Sequence, residues 1–260
     1  MQDLLQEKDV KAKENKGMSY SIEVENLTKI YKEFPANDGV NLKVPKGSIF
    51  GLIGRNGAGK TTLMKMILGF SSRTDGIIRI NGKEREEELW KERGHIGSII
   101  EVPAFYDEMS CYENTMYHAK LLGIKDKSVV ERVLSEVGLS RFKTRKVKAF
   151  SLGMRQKLGI ACAVLGNPDI LLLDEPTNGL DPVAIAEIRR LLQRLNEKGV
   201  TIFISSHILG EMEKIATDYA FMMDGKVVES ISAGDLKNTG KDLETYFLDI
   251  VGGDTDEKDI

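Results

Sequence analysis

Lys60 and Thr61 close the run Gly54-Arg55-Asn56-Gly57-Ala58-Gly59-Lys60-Thr61-Thr62, which fits the pattern of a glycine, four residues and Gly-Lys-Ser/Thr. The chemistry this invites is that of a polyphosphate. Glycines at 54, 57 and 59 let the backbone fold into a concave loop with its N–H groups pointing inward, and a helix starting near Gly59 adds its positive end. Lys60 then reaches the β- and γ-phosphates, and the Thr61 hydroxyl can hold Mg²⁺. Farther along, the apolar run Ile170-Leu171-Leu172-Leu173 ends in Asp174-Glu175, and residues 200–204 lead into Ser205-Ser206-His207. Asp174 suits an Mg²⁺ role, directly or through water, and Glu175 suits a general base on an attacking water. His207, at a strand end, can bond a γ-phosphate or orient that water. His95 and His118 read as surface or packing residues.

These groups need elements to carry them. Residues 48–53 read as a buried strand and residues 60–68 as a helix, so the glycine loop stands where a strand feeds a helix. Residues 170–173 and 200–204 are apolar runs of buried-strand type, and open α/β sheets keep their ligands at the C-terminal ends of such strands. Residues 21–27 and 40–44 alternate as strands. Between them lies Tyr31, which is either a stacking surface for adenine or a half-buried strand aromatic. Residues 77–80 followed by Asn81-Gly82 read as a hairpin, and residues 96–100 as another buried strand ending in Glu101. A carboxylate there can join Mg²⁺ or water binding, or be merely solvated. Residues 112–122 and 127–137 have helical spacing with Gly123 and Gly138 at C-cap positions, and Ser151 reads as the N-cap of a helix running to residue 165. Asn178 to Pro182 is a turn feeding a helix, and Asp224-Gly225 is the clearest hairpin signal.

Composition limits the choices. A chain of 260 residues, 41% hydrophobic, is long enough for a substantial core. Its 37 basic and 40 acidic side chains give a net charge of −3, which argues against nucleic-acid binding through bulk charge. Cys111 and Cys162 lack metal spacing and fit a reduced cytosolic compartment. No apolar run approaches the ~18 residues of a membrane span, so any membrane role is expected to come through a partner.

Taken in order, these stretches resemble the ATP-binding subunit of ABC transporters, over about residues 22–236. Gly54 to Thr62 resembles the Walker A motif and residues 170–175 the Walker B motif. Phe150-Ser151-Leu152-Gly153-Met154 stands at the family signature, usually Leu-Ser-Gly-Gly-Gln, keeping Ser151 and Gly153. Gly179-Leu180-Asp181 resembles the D-loop, His207 the switch histidine and Tyr31 the adenine-stacking aromatic. Where the family normally has Gln, this chain has Glu101, a variant that resembles the ATPases of lantibiotic self-protection exporters, close to the bacitracin-resistance group. The resemblance implies ATP and Mg²⁺ as cofactors and a head-to-tail pair of copies in which Ser151 of one faces the γ-phosphate held by the other. It also implies polytopic membrane-spanning subunits reached through about residues 102–142, and a peripheral place on the inner face of the cell membrane, with no nucleic acid bound and no direct insertion.

The expected fold is therefore α/β: a P-loop NTPase core of mixed sheet and helices, an antiparallel β subdomain and an inserted helical subdomain. The expected division is a flexible leader at 1–18, the first part of the core with the β subdomain at 19–101, a helical subdomain with the signature at 102–166, the second part of the core at 167–238, and a fraying acidic tail at 239–260. The expected function is ATP hydrolysis that energises export of a peptide such as a lantibiotic. The competing class, an ABC-type clamp in DNA repair or on ribosomes, generally carries coiled-coil insertions, zinc cysteines or two ATPase halves. A regulator without turnover would lack the base, and Glu175 is present.

Overall fold

The computed structural model describes residues 19–253; the expected leader lies outside them. Two sheets share the work of positioning the loop. The first is antiparallel and three-stranded, with β1 (Tyr20–Tyr31) between β2 (Phe34–Pro45) and β4 (Asp75–Ile80). Ile22, Val24 and Leu27 of β1 face Val40, Leu42 and Val44 of β2 across one buried side, as alternation requires.

The second sheet has six strands in the order β5 (Ile96–Ile99), β6 (Ile170–Asp174), β7 (Thr201–Ser206), β3 (Ile49–Ile53), β8 (Asp218–Met223), β9 (Lys226–Ser232). Every pairing is parallel except β8 with β9, the hairpin turned by Asp224-Gly225. Strands β3, β6 and β7 are buried along their whole lengths, which is why their sequences are built on consecutive apolar residues rather than alternations, with the polar residues of β6 and β7 at their ends. Register then aligns their C-terminal ends: Ile53 pairs with Ser206, and Asp174 with Ser205.

Helix α1 (Lys60–Ile67) follows β3 and buries Leu63, Met64, Met66 and Ile67. Burying side chains of this size stabilises by ~1.5–3 kcal/mol each, so the start of α1 is a fixed platform. Helices α3 (Cys111–Leu121), α4 (Lys127–Glu136) and α5 (Leu152–Ala163) form a helical region whose Val130, Val133, Leu134 and Leu158 join the larger core. Ser110 and Glu113 make a reciprocal capping box on α3, Asp126 caps α4, and Ser151 caps α5, accepting from Met154 N at 3.3 Å. Helix α6 (Pro182–Glu197) starts on Asp181 as N-cap with proline in its first turn.

Two expectations are corrected. Asn81-Gly82 reverses the chain, with Ile80 and Lys83 exchanging backbone hydrogen bonds, but no second strand follows; the chain enters helix α2 (Glu86–Arg93) instead. The acidic run Glu86-Glu87-Glu88 favours a helix N-terminus and offers no apolar alternation for a strand. The tail does not fray after Gly240 within the described residues. Short helices α7 (Leu209–Met212) and α8 (Ala233–Asn238) precede α9 (Leu243–Gly253), whose Leu243 is buried and whose Tyr246 and Phe247 rings lie 5.8 Å from Phe221.

Candidate nucleotide and hydrolysis site

Residues 54–59 bridge the end of β3 and the start of α1, and their geometry needs glycine at two points. Gly59 has φ +100°, and a Cβ there would collide with the Ala36 carbonyl. At Gly54 a Cβ would strike the Met222 carbonyl at the end of β8. The loop is thus pressed against both sheets, which fixes its curvature.

Lys60 is buried and its ammonium folds back on the loop, donating to Gly54 O at 2.6 Å and Arg55 O at 3.1 Å. Glu175 Oε1 lies 3.3 Å from the same nitrogen, buried and without an aligned hydrogen-bond donor among the described residues. Thr61 Oγ1 donates to Asp174 Oδ2 at 2.7 Å. A hydroxyl and a carboxylate side by side are the hard oxygen donors Mg²⁺ prefers, with phosphate and water oxygens completing its shell. Among the described residues no cluster of three or more His, Cys, Asp or Glu could hold a metal unaided. The donor set fits Mg²⁺ brought with a nucleotide, and the Glu175 oxygen that lacks an aligned hydrogen-bond donor fits an adjoining polar group.

Glu175 is held in the left-handed region at φ 48°, which turns its side chain from the strand end. His207 Nδ1 lies 2.9 Å from Glu175 Oε2. Ser205, fully buried, links the two acids: its hydroxyl donates to Asp174 Oδ1 and accepts from Glu175 N at 2.9 Å. Sequence alone does not single out Ser205, because a serine just past an apolar run carries no signal of what lies opposite it in the next strand.

A cleft of about 330 Å³ is lined by Tyr31, Phe34, Ala36, Asn56, Gly57, Ala58, Gly59, Lys60, Thr61, Thr62 and Glu175. Tyr31 is at a strand end, 46% exposed, with its hydroxyl 3.2 Å from Ser71 Oγ and the Lys29 ammonium 4.8 Å over its ring. Phe34, its partner across the two-residue turn, was not singled out from sequence. Glu101, just past the end of β5, is not among the residues lining this cleft. It has φ 65° and pairs with Lys65 of α1 at 2.6 Å, and that hydrogen bond and charge hold its carboxyl below the usual range.

Ser151, Gly153 and Asp181 are not among the residues lining this cleft. They gather on another surface, where a Cβ at Gly153 would come 2.9 Å from Ala184 Cβ, and one at Gly179 would lie 3.3 Å from Leu152. Leu152 and Val183 are exposed beside them. A second, apolar cleft of about 460 Å³ runs between the end of β5 and the helical region, past Val102, Pro103, Phe105, His118, Leu121 and Leu122.

The fold and these motifs have counterparts among known proteins. The bacitracin transport ATP-binding protein BcrA of Enterococcus faecalis is 50% identical over 220 residues, 84% of this chain and 71% of that one. The lantibiotic transport ATP-binding protein SrtF of Streptococcus pyogenes is 43% identical over 209 residues, 80% of this chain and 89% of that one. Among solved structures, an ATP-binding subunit of an ABC transporter superposes with TM-score 0.78 at 30% identity, covering 88% of this chain and 99% of its own. The dimeric, post-hydrolysis ATP-binding cassette MJ0796 bound to ADP and Pi superposes with TM-score 0.72 at 26% identity, covering 82% and 98%. The family model described as ABC transporter matches residues 37–178, and the chain belongs to that family as a nucleotide-binding, ATP-hydrolysing subunit.

Proposed function

We propose that this ATPase powers export of a membrane-active peptide antibiotic, of the bacitracin or lantibiotic kind, by membrane-spanning subunits. The observation that carries the catalytic part is Glu175, held between Lys60 at 3.3 Å and His207 at 2.9 Å at the edge of the phosphate loop. The names of the relatives carry the cargo class.

Tyr31 stacks on the adenine, using the ring face opposite Lys29. The backbone N–H groups of residues 54–62, from Gly54 through Arg55, Asn56, Gly57, Ala58, Gly59, Lys60 and Thr61 to Thr62, cradle the phosphates. On nucleotide binding, Lys60 exchanges the Gly54 and Arg55 carbonyls for the β- and γ-phosphates. Thr61 and Asp174 would hold Mg²⁺, which would supply charge neutralisation on the phosphate oxygens. Glu175 takes the proton of the attacking water as it approaches the γ-phosphorus, and His207 orients that carboxylate and the terminal phosphate. The bond from γ-phosphorus to the bridging oxygen breaks, leaving ADP and phosphate.

Ser151 and Gly153, with Asp181, do not line their own chain's cleft, and this supports their completing the cleft of a second copy. Ser151 caps α5, so it would present a hydroxyl and a helix N-terminus to the partner's γ-phosphate. The apolar cleft past Val102 and Leu121, next to Glu101, is the surface on which a cytoplasmic segment of a polytopic subunit docks. No described helix is long and apolar enough to cross a membrane, and in this reading attachment to the inner face comes through that partner. The division at residues 101, 166 and 238 into core, helical subdomain, core and tail follows the same reading.

Glu175→Gln, expressed in place of the wild-type chain in its source cell, tests the cargo. Loss of tolerance to bacitracin or a lantibiotic, with tolerance to unrelated antibiotics unchanged, is expected. Unaltered tolerance to both peptide classes would overturn the export reading.

A further inference from the structure

The ion pair between Lys65 and Glu101 has no part in the mechanism above, yet its place in the fold gives it one. Strand β5, which ends at Ile99, pairs in parallel with β6 so that Ile99 lies beside Leu173. Glu101 is thus carried at the end of the strand adjoining the one that ends in Asp174 and leads to Glu175. The site already sets those two carboxylates where a polyphosphate must sit, and Glu101 adds a third negative charge at its margin. Lys65 stands one helical turn beyond Thr61 on α1, on the same face, and its ammonium lies 2.6 Å from Glu101 Oε1. Glu101 is two-thirds exposed and held at φ 65°, so the pair is a weak source of stability and ends on a strained backbone. The Lys65 ammonium is held above its usual range, first by its hydrogen bond to Glu101, with the charges of Glu101 and Asp174 contributing.

We propose that Lys65 is the counter-charge that makes a carboxylate at position 101 compatible with ATP binding: it positions and neutralises Glu101, and sets nucleotide affinity through Glu101 rather than by touching the phosphates. This rests on the nucleotide-site reading above. With Lys65 replaced by a neutral side chain, Glu101 is left as an uncompensated charge beside the phosphates. Unit charges ~10 Å apart in a medium of effective dielectric constant ~40 alter a binding constant about fourfold, and salt screens that effect.

The test titrates Mg-ATP into the full chain as wild type, Lys65→Met, Glu101→Gln and the double variant, at low and high salt, with circular dichroism recording that each is folded. Lys65→Met is expected to weaken binding about fourfold at low salt and less at high salt. The double variant is expected to bind at least as tightly as wild type, because the carboxylate that needed compensation is gone. Lys143→Met, which removes an exposed lysine paired with Glu131 in the helical region, is expected to change nothing. A Lys65→Met protein that binds like wild type overturns the proposal. So does a double variant as weak as Lys65→Met, since Lys65 would then act on the nucleotide directly. Lys60→Ala separates the two levels: its loss of binding alongside a silent Lys65→Met removes only the counter-charge, whereas unchanged binding by Lys60→Ala removes the site reading and this proposal with it.

Discussion

Ser205→Ala tests how the acidic pair is held. The Ser205 hydroxyl is fully buried and serves both neighbours at once, donating to the Asp174 carboxylate and accepting from the Glu175 backbone N–H. Alanine fills nearly the same space, so no cavity accounts for the change. What remains is a buried N–H without its acceptor and a buried carboxylate oxygen without its donor. A lost bond to a charged group costs ~1.5–3 kcal/mol and an unsatisfied buried donor ~1–3 kcal/mol. Asp174 keeps Thr61 at 2.7 Å on its other oxygen, and relaxation recovers part of the remainder, so about 2–4 kcal/mol of destabilisation is expected. Urea unfolding of the nucleotide-free protein followed by circular dichroism reads this. ATP turnover, measured at a temperature where the variant is fully folded, is expected to fall at least about tenfold, because Glu175 has lost the bond that fixes its backbone. A stability change below about 0.5 kcal/mol with unaltered turnover would refute the role given to Ser205.

Further outcomes can be checked with the purified protein. Glu175→Gln is expected to bind ATP with near-normal affinity and to lose turnover by at least about a hundredfold, measured as phosphate release. Gly59→Ala combines a strained φ of +100° with a collision at the Ala36 carbonyl, and is expected to lose ATP binding in calorimetry and to unfold about 2 kcal/mol or more earlier. Stability is also expected to depend on His118. Burial disfavours its imidazolium, so the folded-state pKa lies below the ordinary 6.5. As pH falls through about 6.5 the unfolded chain takes up the proton first, and stability drops on acidification while being fully present above that pH. Urea midpoints at pH 7.5 and 5.5 are expected to differ more in wild type than in His118→Gln.

What could be read from the sequence is what local chemistry encodes. The phosphate loop, its strand and its helix are contiguous, so residues 48–68 carry their own evidence, and the acids at 174–175 stand at the end of a run too apolar to be anything but buried. The contacts that join those segments are non-local. Ser205 to Asp174 and Lys65 to Glu101 depend on which strands neighbour each other and on a left-handed turn at residue 101, neither of which any short window specifies. The C-terminal helix was legible and was missed. Leu243, Tyr246, Phe247 and Ile250 recur at helical spacing and mark a face that packs on the core, but the acidic residues around them and beyond them resemble a solvated tail. At residues 81–82 the turn chemistry was read correctly and its sequel was not, because a reversal does not dictate whether strand or helix comes next.

Because Ser151, Gly153 and Asp181 do not line the cleft of their own chain, the two-copy ATP sandwich proposed above is the central claim. Its most direct measurement is the molar mass of the Glu175→Gln protein by light scattering in Mg-ATP, Mg-ADP and no nucleotide. A doubling of the protomer mass in Mg-ATP alone, abolished by adding Ser151→Arg to obstruct the facing surface, is the predicted result. A protein that keeps its monomer mass in saturating Mg-ATP, or a pair that forms equally well with Arg at position 151, would contradict the account.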